Sequence, residues 1–132
     1  MIILELFPGT GSVSKCCTNH TCISVDIDTK FHTPTHRVDI LNWDYKSAYK
    51  PNPFDFVWAS PPCQMFSVMN NLHYTKEQIA DRIEKCRIPL LRKTLEIIEY
   101  FKPKYFVIEN PQGMMRHYIK REPLYNLLNC VE

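Results

Sequence analysis

Met1-Ile-Ile-Leu-Glu-Leu-Phe-Pro-Gly-Thr-Gly-Ser12 is the stretch that decides the fold class. Residues 1–6 form a short, mostly apolar run that breaks on Pro8, Gly9 and Gly11. A parallel strand buried on both faces requires such a run, and the Pro/Gly segment after it makes a turn. Glycines in that turn let backbone N–H groups approach a bound molecule without interference from a Cβ. The turn alone explains a Gly-x-Gly about as well as a ligand does. Ser12 to Cys17 then reads as a short helix.

Working outward, the strand-then-turn pattern recurs. Cys22 to Val25 is a second strand ending on the acids Asp26 and Asp28, and Val38 to Ile40 is a brief third. Phe54 to Ala59 is a fourth, stopped by Pro61 and Pro62. Lys76 to Cys86 reads as helix, and Pro89 restarts or kinks the path at the first turn of a longer helix. Leu91, Leu95, Ile98 and Phe101 give that helix an apolar face at three-to-four spacing. Pro103 ends it, Tyr105 to Ile108 is a fifth strand, and the tail from Pro123 to Cys130 is weakly helical. Strands alternating with helices imply an α/β domain with a mostly parallel sheet, a single unit over residues 1–132. Ligands of such sheets bind beyond the carboxyl ends of the strands. Phe7 to Gly11, Asp26 and Asp28, Asp39, Ser60 to Gln64, and Glu109 to Gly113 all fall there, a concentration of chemistry that packing does not require.

The bulk numbers permit this reading without sharpening it. The chain has 132 residues, 45% of them hydrophobic, enough for one core. A net charge of +2 is too small to argue for a nucleic-acid partner, although basic residues cluster at 76–93 and 116–121. No apolar run is long enough to span a membrane, and the first residues lack the pattern of a secretory signal. The expectation is therefore an intracellular, reduced protein. Cys16, Cys17 and Cys22 lie near His20, with His32 and His36 beyond. Only Cys17 and Cys22 have zinc-ligand spacing and no second pair matches it, so small buried cysteines are favoured and no metal is expected.

Four acids and one thiol carry the candidate chemistry. Asp26, at the end of the second strand, suits the two ribose hydroxyls of a nucleoside cofactor. Asp39 could accept from an adenine amino group, or simply begin a turn, and Asp28 could cap a following helix. In Ser60-Pro61-Pro62-Cys63-Gln64 the two prolines fix the backbone and hold the cysteine rigidly. Such a thiol is placed as a nucleophile, with reactivity set by its ionisation. Glu109, ending the fifth strand, could hydrogen-bond or protonate a ring nitrogen while the cysteine attacks the neighbouring carbon.

Taken together, these residues resemble the cytosine-5 DNA methyltransferase family. Glu5 to Ser12 is similar to its first motif, Asp26-Ile27-Asp28 to its second and Asp39-Ile40 to its third. Ser60 to Gln64 with Phe66-Ser67 resembles the fourth, and Glu109-Asn110-Pro111 the sixth. The likeness runs from Met1 to about Gly113 and looks most like small enzymes of phages and large viruses. It implies a Rossmann-like methyltransferase fold with about five of the usual seven strands, and S-adenosylmethionine as cofactor. Phe7, Gly9, Thr10 and Gly11 would line its methionine end. Asp26 would hold the ribose beside Ile27, Asp39 and Ile40 would meet the adenine, and Pro62 would border the reacting centre. Cys63 would add to carbon 6 of a cytosine flipped from DNA while Glu109 engages N3.

The chain departs from the family at Ser12 for a frequent glycine, Ile27 for a frequent aromatic and Pro111 for a frequent valine. The family's arginine-bearing motif, target-recognition region and closing helix have no counterpart in the sequence. The fifth strand would then be an apolar edge, so either a second copy or other partner covers it, the tail reorders over it, or the catalytic domain is truncated. A degenerate cofactor-binding or interaction module is the alternative function. An amino-directed methyltransferase fits less well, because Cys63 stands where those enzymes place an aromatic. A cysteine hydrolase fits less again, with no histidine in the motif. RNA stays open as a substrate.

Overall fold

A computed structural model describes residues 1–63, 73–109 and 115–128. Its centre is a five-stranded sheet in the order β3-β2-β1-β4-β5, every pairing parallel. The strands are β1 (Ile2–Leu6), β2 (Thr21–Asp26), β3 (His36–Arg37), β4 (Phe56–Ala59) and β5 (Tyr105–Ile108). This is the α/β, Rossmann-like arrangement expected of a methyltransferase domain. In β1, Ile3, Leu4, Glu5 and Leu6 are all buried, which suits the central position. From β1 the chain steps outward to β2 and β3, then returns to the other side of β1 for β4 and β5. Strand order therefore reverses between β1 and β4, and the crevice above a reversal is where open parallel sheets bind ligands.

The helix that buries the sheet is α4 (Ile88–Phe101), as its apolar spacing predicts. It presents Leu91, Leu95, Ile97, Ile98 and Phe101, all essentially without exposure. Phe101 meets Trp43, Tyr45, Tyr49 and Phe54 in mostly edge-on ring contacts at 4.9–6.3 Å. A second cluster joins Ile79, Ile83, Ile88, Leu91 and Leu95 to Met115 and Ile119. Lys102 closes α4 in a left-handed conformation (φ 45°), just before Pro103. Shorter helices are α1 (Ser12–Cys16), α2 (Tyr45–Ala48), α3 (Lys76–Arg82), α5 (Met115–Ile119) and α6 (Pro123–Leu127). Arg92 of α4 grips Glu122 with two bonds of 2.9 and 3.1 Å, docking the entry to α6.

One expectation is corrected. The third strand is His36–Arg37, not Val38 to Ile40. The Val38 amide still donates to Asp26 (2.9 Å), but the Asp39 carboxylate then takes the Leu41 amide (3.0 Å) and starts a 3-10 turn over Ile40–Asn42. A side chain that bonds its own backbone diverts it from the sheet. Between α3 and α4 the path is distorted just ahead of Pro89, as expected of a proline in the first turn of the longer helix. A π turn over Ile83–Arg87 joins them, with the Ile88 amide bonded to the Ile83 carbonyl. Pro89 has no N–H for the carbonyl four residues back and its ring crowds it, so the helix widens by one residue instead of ending.

β5 is the sheet edge among the described residues, with Tyr105 62% and Val107 37% exposed. No helix of the described residues is long and apolar enough to cross a membrane.

Candidate active site at the carboxyl edge of the sheet

The strand pairing continues past each strand end and fixes the site. The Phe7 amide donates to Val25 (3.0 Å), the Ser60 amide to Leu6 (3.1 Å) and the Glu109 amide to Ala59 (2.8 Å). These bonds, with Val38 on Asp26, tie Asp26, Phe7, Ser60 and Glu109 into one row across the sheet edge. Residues far apart in sequence thus stand at neighbouring register positions, with the β1/β4 crevice between Phe7 and Ser60.

The first loop is built for close approach. Gly9 (φ 53°) and Gly11 (φ 69°) are left-handed, and so is Phe7 (φ 58°), a conformation costing an aromatic residue about 1 kcal/mol or more. A Cβ on Gly9 would meet open space, whereas one on Gly11 would lie 2.7 Å from the His32 ring. His32 reaches over that glycine from the β2–β3 connection, with Nε2 3.4 Å from the hydroxyl of buried Ser24.

Glu5 holds the far end of the loop. Its carboxylate is 2% exposed and accepts from the Val13 amide (3.3 Å), the Ser14 amide (3.2 Å) and the Ser14 hydroxyl. A buried anion at the first amides of α1 satisfies donors that a helix start leaves free. The sequence offers one signal for this role, an acid inside an otherwise apolar strand; the likeness to the first motif includes Glu5 without giving it a role.

Asp26 joins the second strand to the first loop. Its carboxylate accepts from the Gly9 amide (3.3 Å) and the Asp28 amide (3.1 Å), one on each oxygen. Each oxygen keeps a lone pair for a further donor. Beside it Ile27 is 63% exposed, an apolar side chain left bare at the site's rim. Asp28 caps no helix; it closes a short turn on the Lys30 amide (2.8 Å). Asp39 spends one oxygen on Leu41, and Ile40 is buried in the core. Thr10 is exposed and its hydroxyl lies 2.9 Å from that of Ser12.

After β4 the chain enters Ser60-Pro61-Pro62-Cys63. Trp58 and Ser60 share a face, and the indole N–H donates to the Ser60 hydroxyl at 2.8 Å. Pro61 is buried, while Pro62 and Cys63 are half-buried. Glu109 is exposed. Gln64, Phe66, Ser67, Asn110, Pro111 and Gly113 lie outside the described residues. The five described cysteines are free thiols, and burial pushes the Cys22 thiol upward.

The model of the C-5 cytosine-specific DNA methylase family matches residues 3–129. The chain belongs to that family. It is 41% identical over 139 aligned positions to a probable DNA (cytosine-5)-methyltransferase of Frog virus 3, covering 98% of this chain and 63% of the relative. It is 35% identical to DNA (cytosine-5)-methyltransferase 4 of Arabidopsis thaliana over 46% of this chain and 4% of the plant protein. DNA (cytosine-5)-methyltransferase 1A of rice is 28% identical over 78% of this chain, and 6% of its own length is covered. The chain thus spans less than two thirds of the curated relatives it matches.

Proposed function

We propose that this chain is a DNA (cytosine-5)-methyltransferase that works through a covalent cysteine adduct, using S-adenosylmethionine as methyl donor. The observation that carries the reading is the register of Glu109 beside Ser60, which stands three residues before Cys63 and borders the β1/β4 crevice. Family membership supports the substrate class and the cofactor.

The cofactor has residues that suit it. Phe7, Gly9, Thr10 and Gly11 would border its methionine end, with Gly9 facing open space. Asp26 has lone pairs for the ribose hydroxyls, and exposed Ile27 offers an apolar surface for the purine. Asp39, with one oxygen uncommitted, would meet the adenine amino group, Ile40 would support it from the core, and Pro62 would border the reacting centre. Once bound, the cofactor supplies an electrophilic methyl group on a sulfonium.

The chain's own residues do the rest. The Cys63 thiolate adds to carbon 6 of a cytosine taken out of the helical stack. Glu109, hydrogen-bonded to N3, stabilises the charge that arrives on the ring, so carbon 5 becomes nucleophilic. Carbon 5 takes the methyl group, then loses its proton to base as the carbon–sulfur bond breaks and Cys63 leaves. Pro61 and Pro62, with the Trp58–Ser60 bond behind them, hold the sulfur's position through these steps.

We read the chain as one catalytic domain acting on DNA inside a cell, with the β5 edge covered by further polypeptide or a second copy. A cofactor-binding module without catalysis is the second reading, because the Asp26–Gly9 bond and exposed Ile27 suit a cofactor whether or not Cys63 reacts. Incubation with S-adenosylmethionine and a cytosine-rich duplex, digestion, and mass spectrometry for 5-methylcytosine decides between them. A parallel incubation with RNA identifies the nucleic acid. Cofactor binding with no methylated product on any duplex would support the module.

A further inference from the structure

Arg87 is a described charge for which the proposed function has no use and the structure shows no ion pair among the described residues. Other cations on its helical stretch and nearby have partners: Lys85 with Asp81, Arg92 with Glu122, and Arg82 over the Tyr74 ring at 4.4 Å. Arg87 is half-buried and its Nε is shut from solvent without a hydrogen-bond partner. No ion pair among the described residues includes it. A donor removed from water and left unpaired is costly, and native structures hold few of them. With Nε enclosed, a ligand from solution can reach this guanidinium only at its terminal N–H groups.

Its place in the fold indicates what would bind. Arg87 ends the π turn and immediately precedes α4, on the crossover that leaves β4 through the Cys63 loop and returns to β5. At the amino edge, the Phe101 carbonyl accepts from Asn52, close to where Asp55 pairs with Ile2. From Phe101 back to Arg87 is about 21 Å of helix. From Asp55 to Ser60 is roughly 17 Å of strand. Arg87 therefore stands level with the carboxyl edge, on the Cys63 side of the crevice. The first glycine loop lies on the β1 side.

Resting on the DNA reading above, we infer that Arg87 binds a backbone phosphate of the nucleic acid whose base enters the site. Two N–H groups of a guanidinium match two phosphate oxygens, a geometry a lysine cannot reproduce. This contact would anchor the strand on one side of the flipped base and carry no sequence information.

The test is a fluorescence-anisotropy titration of a short labelled duplex over a salt series, with S-adenosylhomocysteine present. Arg87→Ala should weaken binding about tenfold and reduce the salt slope by about one. Arg87→Lys should keep most of the slope and recover only part of the affinity, and homocysteine-cofactor affinity should be unchanged in both. Unaltered duplex affinity and slope in Arg87→Ala would overturn the inference. So would a loss of cofactor affinity, which would give the guanidinium to the cofactor's carboxylate. Should the variants fold poorly, wild-type protein is treated with phenylglyoxal and mapped by mass spectrometry. Protection of Arg87 by the duplex is expected, and equal modification with and without it contradicts the assignment. A wild-type chain that binds no duplex would instead sink the DNA reading itself.

Discussion

The Glu109 amide donates to the carbonyl of Ala59 at 2.8 Å, so the acid that ends β5 is held beside the residue that begins the Pro-Pro-Cys loop. Backbone pairing fixes the start of both active loops, independent of any side-chain contact between Glu109 and Cys63. The pairing between β4 and β5 is thus as much a part of the site as the side chains it presents.

Glu5 bears on the first loop in a comparable way. Glu5→Gln keeps the shape but puts an amide N–H₂ against the donors of Val13 and Ser14. We expect a loss of about 2 kcal/mol, read by urea unfolding, from a buried acceptor turned donor. Cofactor affinity should fall with it, because the loop's end is released. Full stability in Glu5→Gln would show that the three bonds are not needed.

Much of this fold was legible in the sequence because strand and helix periods are local properties. The five strands, the long helix after Pro89 and the concentration of polar residues at strand ends follow from apolar runs and turn residues. Contacts made by distant residues were not legible. Nothing near Gly11 announces that His32 covers it, and nothing near Pro89 announces that the helix passes through it by a π turn. The third strand moved by two residues because the Asp39 side chain competes for the backbone, and a pattern of apolar residues does not register that competition. Cys63 and Glu109 were singled out by motif; their nearness in register is a property of the sheet.

Gly11→Ala tests the His32 contact. The substitution adds backbone strain at φ 69° and places a methyl 2.7 Å from the imidazole. We expect it to destabilise the fold by about 2 kcal/mol or more. Adding His32→Ala should return the steric part and leave roughly 1 kcal/mol of backbone cost. Additive losses in the double variant, measured by chemical unfolding, would mean that the ring does not sit on this glycine.

Asp26→Asn separates ligand binding from folding. Asparagine keeps one oxygen for the Gly9 or Asp28 amide, so stability should change by less than about 1 kcal/mol. Calorimetric affinity for S-adenosylhomocysteine should fall by about tenfold or more, the scale of lost bonds to a charged acceptor. Unchanged affinity would remove Asp26 from the ribose role.

The Tyr45 hydroxyl is pushed above its usual value of 10.0 by burial, then by Glu96 and Tyr100. The folded state therefore holds this proton more tightly than the unfolded chain. Its contribution to stability is fully present below the unfolded pKa and is lost as pH climbs through the folded one. Thermal unfolding should show Tm falling above about pH 10, and Tyr45→Phe should flatten that fall. Identical alkaline slopes in the two proteins would contradict the burial argument.

The most direct test of the account is capture of the attacking sulfur. A duplex carrying 5-fluorocytosine cannot lose a proton from carbon 5, so the adduct persists after methyl transfer. With S-adenosylmethionine present, the account predicts a denaturation-resistant protein–DNA species whose crosslinked peptide contains Cys63, absent in Cys63→Ala and strongly reduced in Glu109→Ala. An adduct mapped to another cysteine, or methylated DNA produced by the Cys63→Ala protein, would contradict it.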